Sequence, residues 1–305
     1  MSETHAAASP AANRRGMIAV TLGMASYTVN DTFVKMIARE LPFGEVIFLR
    51  GVLSVLVLTV ALMIVVDLRS LIPAFTPRVL WRALFDALST AFFVAALVHM
   101  KIAELSAVIL TSPLILTALA AFTFRTHVGW RSWGAIGVGL LGTLFIVKPS
   151  AGAFDVWAIV GLIAAIFSAL RDLATRTINH TIPTLAVSVY GAFGVMLTGA
   201  TLGAVESWVM PDLWQWAGVA IAALFLGLGT FLIVLGFRNV DLPVVAPFRY
   251  TLLLWMSISG YFAFGEVPDR WSWVGAALIA LSGLYALHRE GARRRELAAT
   301  ALPPA

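Results

Sequence analysis

The sequence contains no cysteine and few charged residues. None of its 305 residues is Cys, and only 12% are Asp, Glu, Lys or Arg. The absence of cysteine excludes disulfides, thiol chemistry and metal sites with Cys ligands. An ordinary soluble domain has about 25% charged residues, so the low charge excludes that class. A chain that is 60% hydrophobic, with a mean hydropathy of +0.91, is predicted to be an all-α polytopic membrane protein.

The chain also leaves no room for a soluble domain of useful size. A helix needs about 20 apolar residues to cross the hydrocarbon core of a bilayer, and ten windows of the sequence meet that length. Nine of the ten tryptophans lie at or near window ends, as in an aromatic belt. The predicted spans are 17–37, 44–66, 79–99, 103–124, 130–147, 157–177, 184–205, 213–236, 241–263 and 270–288.

The positive charges are distributed unevenly between the two sides of the predicted membrane. With the N-terminus in the cytoplasm, cytoplasmic segments carry twelve Lys or Arg, the opposite side five, and the spans four. This bias predicts that both termini are cytoplasmic. The basic tail, Arg293 to Arg295, fits a cytoplasmic end close to anionic lipid. The lipid bilayer is therefore the predicted partner, and nucleic acid is not.

Signals for enzymatic chemistry are sparse. The five histidines fall in tails or at segment ends, and none has a metal-binding spacing such as H-E-x-x-H. The run from Gly137 to Gly142 matches G-x-G-x-x-G, but it lies inside a predicted span rather than after a strand, so it predicts helix packing and not a dinucleotide site. No cofactor is predicted. A membrane-embedded enzyme acting on lipid-linked substrates stays as the alternative of another class.

The first span is polar where an apolar run is expected, and its pattern recurs later in the chain. Its marked residues share one helical face, and a second set repeats their spacing at an offset of 141 residues. A charge at the centre of a bilayer costs about 2.5–3.5 kcal/mol on insertion scales, so charges placed there twice indicate a function. The first set is Tyr27, Asn30, Asp31, Val34 and Lys35, and the second is Ser168, Arg171, Asp172, Thr175 and Arg176.

The same offset relates other positions and predicts an internal duplication. It matches Pro42 with Pro183, Gly134 with Gly275, and Gly142 with Gly283. Each unit has five predicted helices, and because five is odd the second unit must be inserted upside down. Inverted repeats are characteristic of secondary transporters with a site near the midplane. The predicted organisation is a disordered N-terminus 1–16, repeats 17–149 and 155–288, and a basic tail 289–305.

Charged residues within the spans are the candidates for a substrate site. Three pairs of opposite charge lie four residues apart, so that each can pair within its own helix: Asp31/Lys35, Arg82/Asp86 and Asp172/Arg176. Arg50, Arg171 and Arg249 have no such local partner, and each needs a carboxylate on another helix, a carbonyl or an anionic ligand. Asp31, Asp86 and Asp172 could carry protons, or they could remain in permanent salt bridges.

Aromatic side chains and prolines add to this candidate site. A planar solute can stack on aromatic rings inside the spans. Proline in a span frees a backbone carbonyl that can line a cavity, and Pro113 and Pro247 interrupt the fourth and ninth spans. The predicted substrate-binding residues are Tyr27, Asn30, Asp31, Arg50, Arg82, Asp86, Arg171, Asp172, Arg249, Tyr250 and Trp255.

Three motifs accompany the two inverted five-helix units: Phe48-Leu49-Arg50-Gly51, Gly265-Glu266, and the glycines of the fifth and tenth spans. Together they resemble the EamA type of the drug/metabolite transporter superfamily, over about residues 17–288. One departure is Arg125-Thr126, which stands where the first repeat often has its own Gly-Glu.

A finer resemblance lies in the ninth span. The run from Ala246 to Trp255, followed by Phe264 to Asp269, is similar to a subgroup that includes bacterial riboflavin and S-adenosylmethionine transporters. The resemblance implies uptake of a heterocyclic metabolite across the bacterial inner membrane, with riboflavin as the first candidate. Transport or export of S-adenosylmethionine or an amino acid is the alternative. The oligomeric state is not predicted.

Overall fold

The computed structural model describes residues 9–123, 130–147, 156–175, 177–179, 181–236, 240 and 242–300. All regular secondary structure in these residues is helical. The α-helices are α1 Pro10–Ile37, α2 Phe43–Val65, α3 Leu71–Ala74, α4 Pro77–His99, α5 Ile102–Ile109, α6 Ser112–Thr123, α7 Trp130–Val147, α8 Val156–Thr175, α9 Thr184–Gly203, α10 Leu213–Gly236, α11 Leu242–Val245, α12 Thr251–Phe264 and α13 Arg270–Thr300, with 3₁₀ helices at Leu68–Ser70 and Ala246–Tyr250.

Six helical segments in the described residues are long and apolar enough to cross a membrane: Phe43–Val65, Pro77–His99, Ile102–Thr123, Val156–Thr175, Thr184–Gly203 and Leu213–Ile233. A shorter apolar helix covers Trp133–Ile146. α1 lies outside this set and carries Asn30 and Asp31 within its apolar run. The chain is therefore helical with several membrane-crossing segments.

Both ends of the bundle continue as helix beyond the predicted spans. α1 begins at Pro10 instead of residue 17, because Pro10 suits the first helical turn and the Ser9 hydroxyl accepts a hydrogen bond from the Ala12 N–H at 3.1 Å. α13 runs on to Thr300, through a segment rich in the strong helix formers Ala, Arg, Glu and Leu. Helical structure thus reaches into both predicted terminal segments, and residues 1–8 lie outside the described chain.

Two of the predicted spans are broken helices, as the prolines indicated. The fourth is split into α5 and α6 just before Pro113, and the ninth consists of α11, the 3₁₀ helix containing Pro247, and α12. The two breaks are equivalent under the 141-residue offset, although the prolines themselves are not. The junction at Leu110–Thr111 corresponds to Thr251–Leu252, where the 3₁₀ helix passes into α12. Each half of the chain therefore has a discontinuous helix at the same place.

Helices of the first half pack against helices of the second half in a reciprocal pattern. α1 packs along α10, and α8, which matches α1 under the offset, packs along α4, which matches α10. α2 packs on its own match α9, and α7 packs on its match within α13. An exchange of the two halves would leave this set of pairs unchanged. The packing is thus that of a duplicated unit whose copies face each other.

Glycine allows the closest of these contacts, between α2 and α9. A Cβ atom at Gly44 would lie 2.3 Å from the Gly203 nitrogen, and one at Gly199 would lie 2.3 Å from the Phe48 nitrogen. Gly199 and Gly203, four residues apart on α9, thus both lie at this close contact. The Gly137–Gly142 run is also a packing segment, because a Cβ at Gly142 would lie 2.7 Å from the Gly275 carbonyl oxygen on α13.

Replacement of Gly44 tests this contact. Gly44→Ala is expected to destabilise the protein by about 1–3 kcal/mol, since two backbones would have to separate, and to lower the melting temperature of the detergent-purified protein. Gly134→Ala is the matched control, because nothing lies within 4 Å of a Cβ there. The control should be neutral or stabilising, since Ala is a better helix former than Gly. Equal melting temperatures for both variants would contradict the close contact.

Candidate functional site

A cavity of about 560 Å³ lies between the two halves of the bundle. Its wall is formed by residues of α1, α2, α4, α5, α6, α8, α9, α10, the second 3₁₀ helix and α12. Nine of the predicted site residues line it: Tyr27, Asn30, Asp31, Arg50, Arg82, Asp86, Arg171, Asp172 and Arg249. The helical spacing within each span brings these side chains to one face. The charges that are costly in a membrane therefore share one cavity.

Asp86 on α4 joins two arginines across the interface of the halves. Its Oδ2 accepts a hydrogen bond from Arg82 Nη1 at 3.2 Å, and its Oδ1 accepts one from Arg171 Nη1 on α8 at 3.1 Å. The Arg82–Asp86 pair was predicted from its four-residue spacing, and the structure confirms it. For Arg171 the sequence left open a carboxylate on another helix, a carbonyl or an anionic ligand, and the structure supplies the carboxylate of Asp86.

Arg171 has further partners on its own helix. Its Nε donates to Asp172 Oδ1 at 3.0 Å, and its Nη2 donates to Ser168 Oγ at 3.1 Å. The predicted Asp172–Arg176 pair falls on a residue outside the described chain. Asp172 is already paired with Arg171. These contacts leave Arg171 with two carboxylates, so its charge is compensated within the wall.

On α1 and α2, Asn30 connects Arg50 to Asp31. Arg50 Nη1 lies 3.5 Å from Asn30 Oδ1, and Asn30 Nδ2 donates to Asp31 Oδ1 at 2.7 Å. Arg50 is 7% exposed and Asn30 2%. Burial of this kind requires polar partners. The Asn30 amide thus bridges the buried Arg50 guanidinium on α2 and the Asp31 carboxylate on α1.

The prediction that Asp31 and Lys35 form an ion pair is wrong. Lys35 Nζ instead donates to Glu266 Oε1 at 2.6 Å and to the Met100 carbonyl oxygen at 2.5 Å. Helical spacing made the local pair available, but α1 packs against α12 and brings the loop after α12 within reach of Lys35. Long-range packing decided the partner, and the local spacing did not.

Glu266 ties three segments together at one end of the cavity. Gly265 ends α12 with a left-handed φ of +65°, a conformation that glycine adopts without strain. Glu266 follows it, and its Oε2 accepts a hydrogen bond from the Ile102 N–H at the start of α5 at 2.9 Å. Lys35 is 1% exposed, and Ile102 lines the cavity. We call Lys35, Glu266 and the backbone of Met100 and Ile102 the closed end.

The cavity differs at its other end. The closed end lies near the end of α1. At the other end of the cavity α8 ends beside the start of α4, and Arg78 Nη1 donates a hydrogen bond to the Thr177 carbonyl oxygen at 3.1 Å. Thr175 at the end of α8 lines the cavity and is exposed. The cavity is thus buried at the closed end and reaches exposed residues at the opposite end.

Arg249 is the lining cation without a bound partner. It lies in the 3₁₀ helix Ala246–Tyr250 and is half-buried. In the described part of the chain it makes no hydrogen bond or ion pair, in contrast to Arg82 and Arg171. It lies within electrostatic range of Tyr27, whose hydroxyl is 3.3 Å from Thr230 Oγ1. Its guanidinium is therefore available to a bound molecule.

Tyr250 and Trp255 do not line the cavity. The Tyr250 hydroxyl and the Trp255 Nε1 are buried without a hydrogen-bond partner, and Trp255 packs with an apolar cluster that includes Met24 and Val245. Arg249, Leu252 and Met256 form the lining face of this segment. These residues are three and four positions apart, so the cavity-lining face of this segment could have been identified by following the helical spacing from Arg249.

Sequence reasoning also missed most of the small polar residues of the wall. Ser54 follows Arg50 by four residues, and Ser89 and Thr90 follow Asp86 by three and four. Continuing each charged residue's helical face would have identified them. The apolar part of the wall includes Phe93, Met24 and Met256. The cavity therefore combines hydroxyl groups and charges with apolar surface, as small-molecule sites do.

Comparison with known proteins identifies a family and several relatives. The EamA-like transporter family matches residues 14–148 and 155–287. An S-adenosylmethionine uptake transporter of Rickettsia bellii (strain RML369-C) is 26% identical over 88% of this chain and 92% of its own length. A pseudopaline exporter of Pseudomonas aeruginosa is also 26% identical, over 88% and 94%.

A riboflavin transporter of Rhizobium johnstonii is 24% identical over 72% of each chain. A solved crystal structure with 17% identity superimposes with a TM-score of 0.62 and covers 90% of this chain and 99% of its own. The relatives are transporters with different solutes, and they include both uptake and export.

Proposed function

Because the chain belongs to the EamA-like transporter family, we propose that it is a secondary transporter that moves a small heterocyclic metabolite by alternating access. Its relatives are bacterial membrane transporters. The observation that carries the proposal is the cavity of about 560 Å³ between the halves, lined by seven charged side chains. Charges inside a membrane protein mark solute pathways more often than structural elements. The protein transports its solute and is not an enzyme.

The proposed topology is ten membrane spans in two inverted five-helix repeats. The reciprocal packing of α1 with α10 and α8 with α4, and the equivalent breaks in the fourth and ninth spans, support it. Both termini are cytoplasmic by the distribution of Lys and Arg, and the membrane is the bacterial inner membrane.

Alternating access explains why the two ends of the cavity differ. In the proposed topology the closed end faces the outside, and the end at Thr175 faces the cytoplasm. The structure then corresponds to an inward-facing state. The Lys35–Glu266 pair at 2.6 Å holds the outside shut, and it must separate when the cavity opens outward. Discontinuous helices, such as the broken fourth and ninth spans, commonly allow such a movement.

Riboflavin is the first substrate to assay, and S-adenosylmethionine or an amino-acid solute the second. The names of the relatives support both. The arginines of the wall suit carbonyl or carboxylate groups, and Tyr27 and Phe93 suit a planar ring. Because one of the relatives is a pseudopaline exporter, export is the alternative direction of transport.

Growth rescue tests the proposal. A bacterium that neither makes nor imports riboflavin should grow on low external riboflavin when it expresses this chain, and Arg249→Ala should abolish the growth because the free guanidinium is lost. Exposed Arg69, between α2 and α3, provides the control variant Arg69→Ala. If the protein reaches the membrane and gives no rescue, riboflavin is excluded and labelled S-adenosylmethionine and amino acids are assayed in proteoliposomes. Appearance of a new compound there would indicate an enzyme.

A further inference from the structure

The charges on the cavity wall do not balance. Among the residues that the structure describes, four arginines and three aspartates line it, and no Lys or Glu does. Asp86 and Asp172 bind Arg82 and Arg171 directly. Asp31 reaches Arg50 through Asn30. One positive charge, that of Arg249, is left over.

From this imbalance we infer that the transported solute carries an anionic oxygen group, a carboxylate or a phosphate, that Arg249 binds. The inference rests on the proposed function and names the substrate class of the same cavity. Within the proposed solutes it favours S-adenosylmethionine or an amino acid over riboflavin, which carries neither group. A guanidinium presents a planar fork of N–H donors that fits a carboxylate or phosphate in a bidentate manner. A neutral ring system offers that fork uncharged acceptors, which bind a guanidinium more weakly than an anionic group does.

The position of Arg249 suits an anchor for one end of a solute. It belongs to the short 3₁₀ helix between α11 and α12, in the discontinuous ninth span. Leu252 and Met256 continue its face as apolar lining. Tyr27 lies within its electrostatic range and is held by Thr230. An anionic group at Arg249 thus places the remainder of the solute against an aromatic ring and apolar side chains.

Matched pairs of probes separate charge from shape. We would measure binding of S-adenosylmethionine against its decarboxylated analogue, and of riboflavin 5′-phosphate against riboflavin, by thermal stabilisation and by equilibrium binding to the purified protein. In at least one pair the anionic member should bind about tenfold or more tightly than its neutral-group partner, the increment expected of one charge-assisted hydrogen-bonding group. The first pair identifies a carboxylate and the second a phosphate.

Variants then assign the preference to Arg249. Arg249→Gln should remove the preference for the anionic member, Arg249→Lys should retain part of it because the charge remains, and Arg69→Gln should leave it unchanged. Equal binding of both members of each pair, a preference that survives in Arg249→Gln, or no binding of any of the four probes would overturn the inference. Size-exclusion profiles and the Arg249→Lys variant separate loss of the anchor from loss of folding.

A parallel transport measurement in proteoliposomes distinguishes this inference from the proposed function. Accumulation of riboflavin with no preference for its phosphate, unaffected by Arg249→Gln, would keep the transporter and overturn the anionic class. Anion-selective binding without accumulation of any of the four probes would keep the anchor and contradict transport of these solutes.

Discussion

Asp86→Asn is expected to abolish transport and to destabilise the protein. Asp86 binds Arg82 and Arg171, which lie on α4 and α8, so its loss leaves one cation without a carboxylate and the other with only Asp172. These side chains are partly buried, at 16–27% exposure, so leaving one charge without its partner costs about 1–3 kcal/mol. The melting temperature of the purified protein should fall on the order of 5 °C, and solute uptake in proteoliposomes should be lost.

Two further variants separate the stability effect from the transport effect. In Asp172→Asn, Arg171 keeps Asp86 as a partner, so the destabilisation should be smaller. In Asp86→Asn combined with Arg82→Gln, one orphaned cation is removed, so the melting temperature should recover while transport stays absent. If uptake recovers together with the melting temperature, Asp86 has only a structural role.

The polar face of α1 was predictable because two physical rules acted together. The helical period brings Tyr27, Asn30 and Asp31 to one side, and the cost of charge in a bilayer makes that side face a cavity or a partner. The structure places all three on the cavity wall. The 141-residue offset then pointed to Arg171 and Asp172, which lie on the same wall.

The partner of Lys35 was not predictable from spacing. Asp31 lies one helical turn away, whereas Glu266 is 231 residues further along the chain. The contact depends on how α1 crosses α12 and on the left-handed turn at Gly265. A one-dimensional pattern carries no information on either.

The lining face of the ninth span failed for a different reason. Arg249, Leu252 and Met256 are three and four residues apart and line the cavity as one continuous face, and neither Tyr250 nor Trp255 falls on that face. Adjacent residues therefore face different surroundings, with Arg249 in the cavity and Tyr250 outside its wall. The suitability of an aromatic ring for stacking on a solute does not show whether the ring faces the cavity.

The closed end of the cavity is expected to open when its ion pair is broken. Glu266→Gln leaves the Lys35 ammonium charged at 1% exposure with neutral oxygens in place of a carboxylate, which destabilises the state that buries it. A loss of about 1.4 kcal/mol shifts a two-state equilibrium tenfold. The chain has no cysteine, so Ser106→Cys in α5, a residue of the cavity wall, can report access without competing thiols.

A membrane-impermeant maleimide applied from outside should label Ser106→Cys slowly in the parent chain and about tenfold faster with Glu266→Gln, the rise that the population shift predicts. Arg39→Gln is the matched control, because Arg39 contacts the same carboxylate at 3.6 Å but is 49% exposed, and exposed pairs contribute about 0–1 kcal/mol. Lys35→Met with Glu266→Gln removes both charges, so folded yield should recover while labelling stays fast. Unchanged labelling in Glu266→Gln would mean that apolar packing, and not this pair, keeps the closed end shut.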